Sequence, residues 1–113
     1  MPKSLRHDDC VTHWFRSYWD EADIWFYFEV DESGWVVRQV ELQGPDGVPV
    51  VAASLEEWQH AQAAGRVNHY EATYGGTAER PVQEWDEHFP HTLTRAQFEA
   101  VWEQARRALE SGA

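Results

Sequence analysis

With 113 residues, 42% of them hydrophobic and 14% aromatic, the chain has room for one domain around one packed core, a composition that argues against disorder. Twenty acidic residues against nine basic ones give a formal charge of -11, which repels nucleic-acid phosphates and anionic membrane surfaces. The partners left by that charge are a basic protein, a cation or a small molecule.

Residues 1–11 read as a polar N-terminal tail, and 12–110 as a single domain. The tail holds the chain's one cysteine, Cys10, so no internal disulfide can form. No apolar run reaches the length of a membrane span, and the opening residues carry no apolar leader. A reducing cytoplasm is therefore the expected compartment.

Aromatic and β-branched residues make 12–19 a first strand, and Asp20 to Asp23 a polar turn. Ile24 to Val30 is a second strand and Trp35 to Gln43 a third. Gly44-Pro45-Asp46-Gly47 turns the chain into a short fourth strand, 48–53, whose Pro49 suits a sheet edge. Ser54 and Glu57 have the spacing of a capping box, which starts a helix that Gly65 ends. Residues 66–74 are open between strand and loop, and Gly75-Gly76 ends them. Pro81 can open a short helix to about residue 87. Thr94 and Gln97 form a second capping box, followed by a helix over 95–110 with Phe98, Val101, Trp102, Ala105 and Leu109 on one stripe. Strands followed by helices predict an α+β fold: an antiparallel meander of roughly three to five strands, with the C-terminal helix packed on its apolar face.

The segment Asp31-Glu32-Ser33-Gly34 fits a type I turn with Gly34 at the left-handed bulge position, pairing Asp31 with Trp35. That register opposes Val30 to Val36, Phe28 to Arg38, Phe26 to Val40 and Ile24 to Leu42. One face then collects Ile24, Phe26, Phe28, Val30, Val36, Val40 and Leu42, interrupted by Arg38. Arg38 would need a carboxylate partner or a route to solvent. The opposite face collects Trp25, Tyr27, Glu29, Asp31, Trp35, Val37, Gln39 and Glu41, of which Trp25, Tyr27, Glu29, Trp35, Gln39 and Glu41 are the candidate binding residues. A two-residue loop would instead set Glu29 opposite Arg38, but it mixes apolar and charged residues on both faces, and a one-residue slip exchanges the faces. Tryptophan and tyrosine among carboxylates suit a recognition surface. The alternative is a sheet face whose aromatics pack beneath a helix or loop.

Catalytic signatures are missing. There is no nucleophile elbow, phosphate-binding loop, zinc-protease helix or dinucleotide turn. His7, Cys10 and His13, with Asp8 and Asp9, are residue types a metal could use, but their spacing on a tail does not define a site. Cys10 with His13 as its base, and the His88/His91 pair, are equally undemanding surface residues. Glu29 and Glu41 share a face in the preferred register but stand about 13 Å apart, too far to act on one bond. No metal, cofactor or catalytic residue is expected.

Tyr27-x-Glu29, Gly34, Arg38-x-Val40-Glu41 and Phe98-Glu99-x-Val101-Trp102 resemble the layout of a group of small acidic bacterial single-domain proteins of unknown function. The likeness covers about 24–53 and 92–105, and a helix at 54–65 with a Gly-Gly loop departs from it. The resemblance implies no activity, but it implies that Tyr27, Glu29, Arg38 and Glu41 lie together.

The expected function is a non-catalytic binding protein whose acidic aromatic face engages a basic protein. An immunity or antitoxin protein masking a cationic nuclease or toxin has this charge, size and compartment. The alternative is a small-molecule binder or small enzyme with an aromatic-lined pocket. A plain structural or assembly domain is the third reading. A flat exposed face favours the first, an enclosed pocket the second.

Overall fold

The four strands read from the sequence form in the computed structural model, which describes residues 12–79 and 91–111. The order is β1 (His13–Trp19), β2 (Ile24–Val30), β3 (Val36–Gln43), β4 (Val48–Ser54), α1 (Leu55–Ala63), α2 (Val67–Tyr74), β5 (His91–Thr92) and α3 (Arg95–Ser111). The five strands form one antiparallel sheet in the order β4-β3-β2-β1-β5, an α+β meander with β5 added beside β1. Pro49 lies on β4 at the sheet edge, where a missing N–H costs no ladder bond.

The hairpin between β2 and β3 forms the expected turn and then departs from the expected register. Asp31 N–H donates to the Trp35 carbonyl at 2.9 Å, Gly34 has φ 89°, and Val30 opposes Val36. Val37 is then the extra residue of a β-bulge, beyond which Glu29 opposes Arg38, Phe28 opposes Gln39, and Tyr27 opposes Val40. The bulge reconciles two demands. The glycine turn fixes Asp31 against Trp35, while Arg38 is placed beside a carboxylate instead of between phenylalanines.

The slip redistributes both faces. One face carries Trp25, Tyr27 and Glu29 from β2 with Arg38, Val40 and Leu42 from β3. The other carries Ile24, Phe26, Phe28 and Val30 with Val36, Gln39 and Glu41. α3 covers the first face, so the expectation that it packs on the phenylalanine face is corrected. Its stripe is as read: Phe98 and Ala105 are buried with Tyr27, Val40 and Ala52, and Val101, Trp102 and Leu109 pack around them. Phe15, Phe28, Val30 and Val36 form a second buried cluster on the opposite face, with Phe26 and Ala78 against it.

The helix ends also have local causes. Thr94 Oγ accepts from Gln97 N–H at 3.1 Å, and Gln97 Oε1 accepts from Thr94 N–H at 2.8 Å, which closes a full capping box. The box at α1 is half made. Ser54 Oγ accepts from Glu57 N–H at 3.3 Å, but Ser54 N–H donates to the Tyr70 hydroxyl, and the Glu57 carboxylate turns to Tyr70 and Arg106. Tyr70 belongs to α2, a helix where the sequence left strand or loop open. Gly75 ends α2 at φ 83° and ψ -153°, a region open only to glycine. A β-carbon there would also lie 2.8 Å from a Val51 methyl, so glycine lets the chain cross β4 closely. The short helix expected from Pro81 lies outside the described residues.

Candidate functional site

The six residues expected to form one acidic aromatic face are split among three places. Trp25, Tyr27 and Glu29 lie on the face under α3; Gln39 and Glu41 lie on the opposite face; Trp35 stands at the β2–β3 turn, 40% exposed. The physical reason is the bulge at Val37, which exchanges the faces of β3 relative to β2 over the whole length beyond the turn.

Under α3 the acids and aromatics serve one another. Arg38 Nε and Nη2 donate to the two Glu29 oxygens at 2.6 and 3.0 Å, and its Nη1 and Nη2 reach Glu99 at 3.2 and 2.5 Å. Trp14 Nε1 donates to the same Glu29 at 2.9 Å. The guanidinium lies 5.0 Å from the ring centres of both Phe98 and Trp102. Burial works to lower the Arg38 pKa, but the hydrogen bonds and charges of Glu29 and Glu99 outweigh it and hold the pKa above its ordinary value. Hydrogen bonding to Arg38 holds the Glu99 carboxyl below the usual range, against a smaller effect of burial. Arg106 repeats the arrangement one turn on, between Tyr74 at 3.9 Å and Trp102 at 4.5 Å, ion-paired to Glu57. Glu29, Glu57 and Glu99 are held as ion-pair partners of the two arginines. Tyr27, Glu29 and Arg38 meet here with Phe98, Glu99 and Trp102, while Glu41 lies on the far side of the sheet.

Glu41 is half-buried beside Phe26 and Val51 in the cross-strand row. Burial pushes its carboxyl pKa up, opposed by the amide of Gln39, which donates to it at 2.8 Å. Gln39 is buried and accepts from Ala78 N–H at 2.8 Å, tying the segment after Gly75 to the sheet.

The exposed aromatic surface is at the other end of β2. Tyr18 and Trp19, 44% and 49% exposed, end β1 and lead into the turn Asp20-Glu21-Ala22-Asp23. Tyr18 rests on Trp25 with ring centres 5.0 Å apart, and its hydroxyl donates to Asp23 at 2.8 Å. That bond, with the Asp23 charge, raises the Tyr18 pKa. On the other face Trp19 stacks on Phe26 at 6.4 Å, and Phe26 on Phe28 at 5.8 Å. Asp23 takes φ 55° and accepts from Gly44 N–H through its carbonyl at 2.8 Å, bringing the 44–47 turn and Asp46 to the same end. The sequence signal was there to read. Adjacent strand residues point to opposite faces, so one helix layer cannot cover both rings of a Tyr-Trp pair that ends a strand.

Of the histidines named in the sequence, His13 is an exposed residue of β1, and His91 of β5 sets its ring edge-on to Trp25 at 5.9 Å. His7, Cys10 and His88 lie outside the described residues. Among the described residues no helix is long and apolar enough to cross a membrane. Compared with protein-family models, curated proteins and solved structures, the chain finds no match.

Proposed function

We propose that this is a non-catalytic binding protein that docks a basic protein on the β1–β2 end of its sheet. The observation that carries the reading is the pair Tyr18 and Trp19, held half in water by stacking on Trp25 and Phe26 and ringed by Asp20, Glu21 and Asp23. Anchored aromatics give a partner a rigid apolar contact at small entropic cost, and the surrounding carboxylates select for positive charge and steer its approach. An overall charge of -11 extends that steering beyond the contact itself. Immunity or antitoxin proteins that mask a cationic partner are the class this chemistry suits.

An arginine-rich peptide titrated by calorimetry is the probe. Trp19→Ala should weaken binding by about 2 kcal/mol, close to thirtyfold. Asp20→Asn with Glu21→Gln should flatten the salt dependence of the association rate, whereas Glu103→Gln on the outer side of α3 should leave it unchanged. Binding by Trp19→Ala as tight as wild type would remove this surface from consideration.

A further inference from the structure

We propose that the cleft between the β2–β3 turn and α1 binds a small organic cation, a guanidinium, amidinium or ammonium group carried on an apolar body. The cleft encloses about 420 Å³, within the range of about 300–1,000 Å³ that small-molecule sites occupy. It lies at the opposite end of β2 from the docking surface, so the two readings stand or fall separately.

Trp35, Trp58 and Leu55 line it with apolar surface, and Asp31, Glu71 and Glu79 supply three acidic side chains. No lysine, arginine or histidine is among the described residues that line it. Among the described lining residues a cation meets only negative formal charge, and indole rings add cation–π attraction. The same lining rejects phosphates and carboxylates. Among the described residues no three acidic, histidine or cysteine side chains converge to hold a metal ion, so the charge is spread along the walls. Spread charge with aromatic surface suits a delocalised organic cation better than a compact divalent one.

The walls are fixed before any ligand arrives. Trp58 Nε1 donates to Glu71 at 2.7 Å, clamping α1 to α2. Asp31 Oδ1 accepts from Ser33 and Trp35 N–H at 2.9 and 3.0 Å, setting the turn that carries Trp35. Ala78 is tied to Gln39, and Gly75 directs the chain into that wall. Preformed walls spare the ligand the cost of ordering them.

The probes are benzamidine and its neutral near-isostere benzamide, followed through the indole N–H signals in two-dimensional NMR, with Trp35→Phe and Trp58→Phe giving the assignments. Benzamidine should shift the Trp35 and Trp58 signals saturably and bind at least about tenfold more tightly than benzamide. Glu71→Gln, which retains an acceptor for Trp58, should weaken benzamidine about fivefold, and Trp19→Ala should not change it. Equal binding of the two probes, or no saturable shift at Trp35 and Trp58, would overturn the assignment. An unaffected Glu71→Gln variant would do the same.

Discussion

The sheet face under α3 and the β1–β2 end of the same sheet use the same side-chain types in opposite ways. Under α3 two guanidiniums alternate with aromatic rings, Arg38 against Phe98 and Trp102, Arg106 against Trp102 and Tyr74, and Glu29, Glu57 and Glu99 neutralise them. At the turn end Tyr18 and Trp19 stack on Trp25 and Phe26 and stay half in water, while the Arg16 guanidinium lies 4.4 Å from the Trp25 ring centre and no helix of the described residues is tied down by it. The difference teaches what decides the fate of a Trp–Glu neighbourhood in an acidic chain. Where Arg38 and Arg106 pair with carboxylates, charge and ring are used in holding α3; at the turn end, where Arg16 lies over Trp25, the rings of Tyr18 and Trp19 and the acids Asp20 and Glu21 stay at the surface.

The largest expected effect tests that division directly. Arg38→Ala strips the partner from two partly buried carboxylates and should cost about 3–5 kcal/mol. Trp19→Ala removes a half-exposed ring and should cost about 0.5–1 kcal/mol. Urea unfolding of the two variants gives both numbers; equal losses would erase the distinction between the regions.

Acid should act on the ion pairs of the face under α3. The Glu57 pKa is lowered even though burial pulls the other way, because Arg106 and Tyr70 hydrogen-bond the carboxylate; Glu99 is lowered by Arg38. A folded-state pKa below the unfolded one means stability is present above the unfolded value and is lost as pH falls through the folded one. Stability should therefore decline as pH drops below about 4.5, the ordinary value, by roughly 0.5–1 kcal/mol per group after solvent screening. Melting curves of Glu99→Gln across this range should show a shallower acid limb than wild type.

The smallest effect has the opposite sign. Burial raises the Glu41 pKa, so its ionisation opposes folding once pH exceeds the unfolded value. Glu41→Gln should stabilise the protein at pH 7 by about 0.5 kcal/mol, a gain that disappears below about pH 4. A loss of stability at pH 7 would mean that the charged form does structural work beside Gln39.

Much of the fold was legible because its causes are local. The strands β2 and β4, the Gly34 turn, both capping-box serine or threonine contacts and the α3 stripe depend on residues within one turn or one hairpin. α2 was not legible: its hydrophobic pattern is weak, and what holds it is Tyr70, which reaches Ser54 and Glu57, together with Trp58 bonded to Glu71. β5 escaped because two residues carry no period, and pairing with Phe15 and Arg16 defines it. The face assignment failed through a single residue, Val37, whose insertion is invisible to alternation.

By itself the sequence determined an acidic α+β domain: period-two and period-3.6 patterns specify strands and an amphipathic helix, and the residue counts give a formal charge of -11. Tertiary structure decided which face each β2 side chain presents, because bulge and register are settled by what a strand meets across the sheet. It gave Arg38 to Glu29 and Glu99, hid Tyr27 beneath α3, and left Tyr18 and Trp19 half-exposed at the β1–β2 turn.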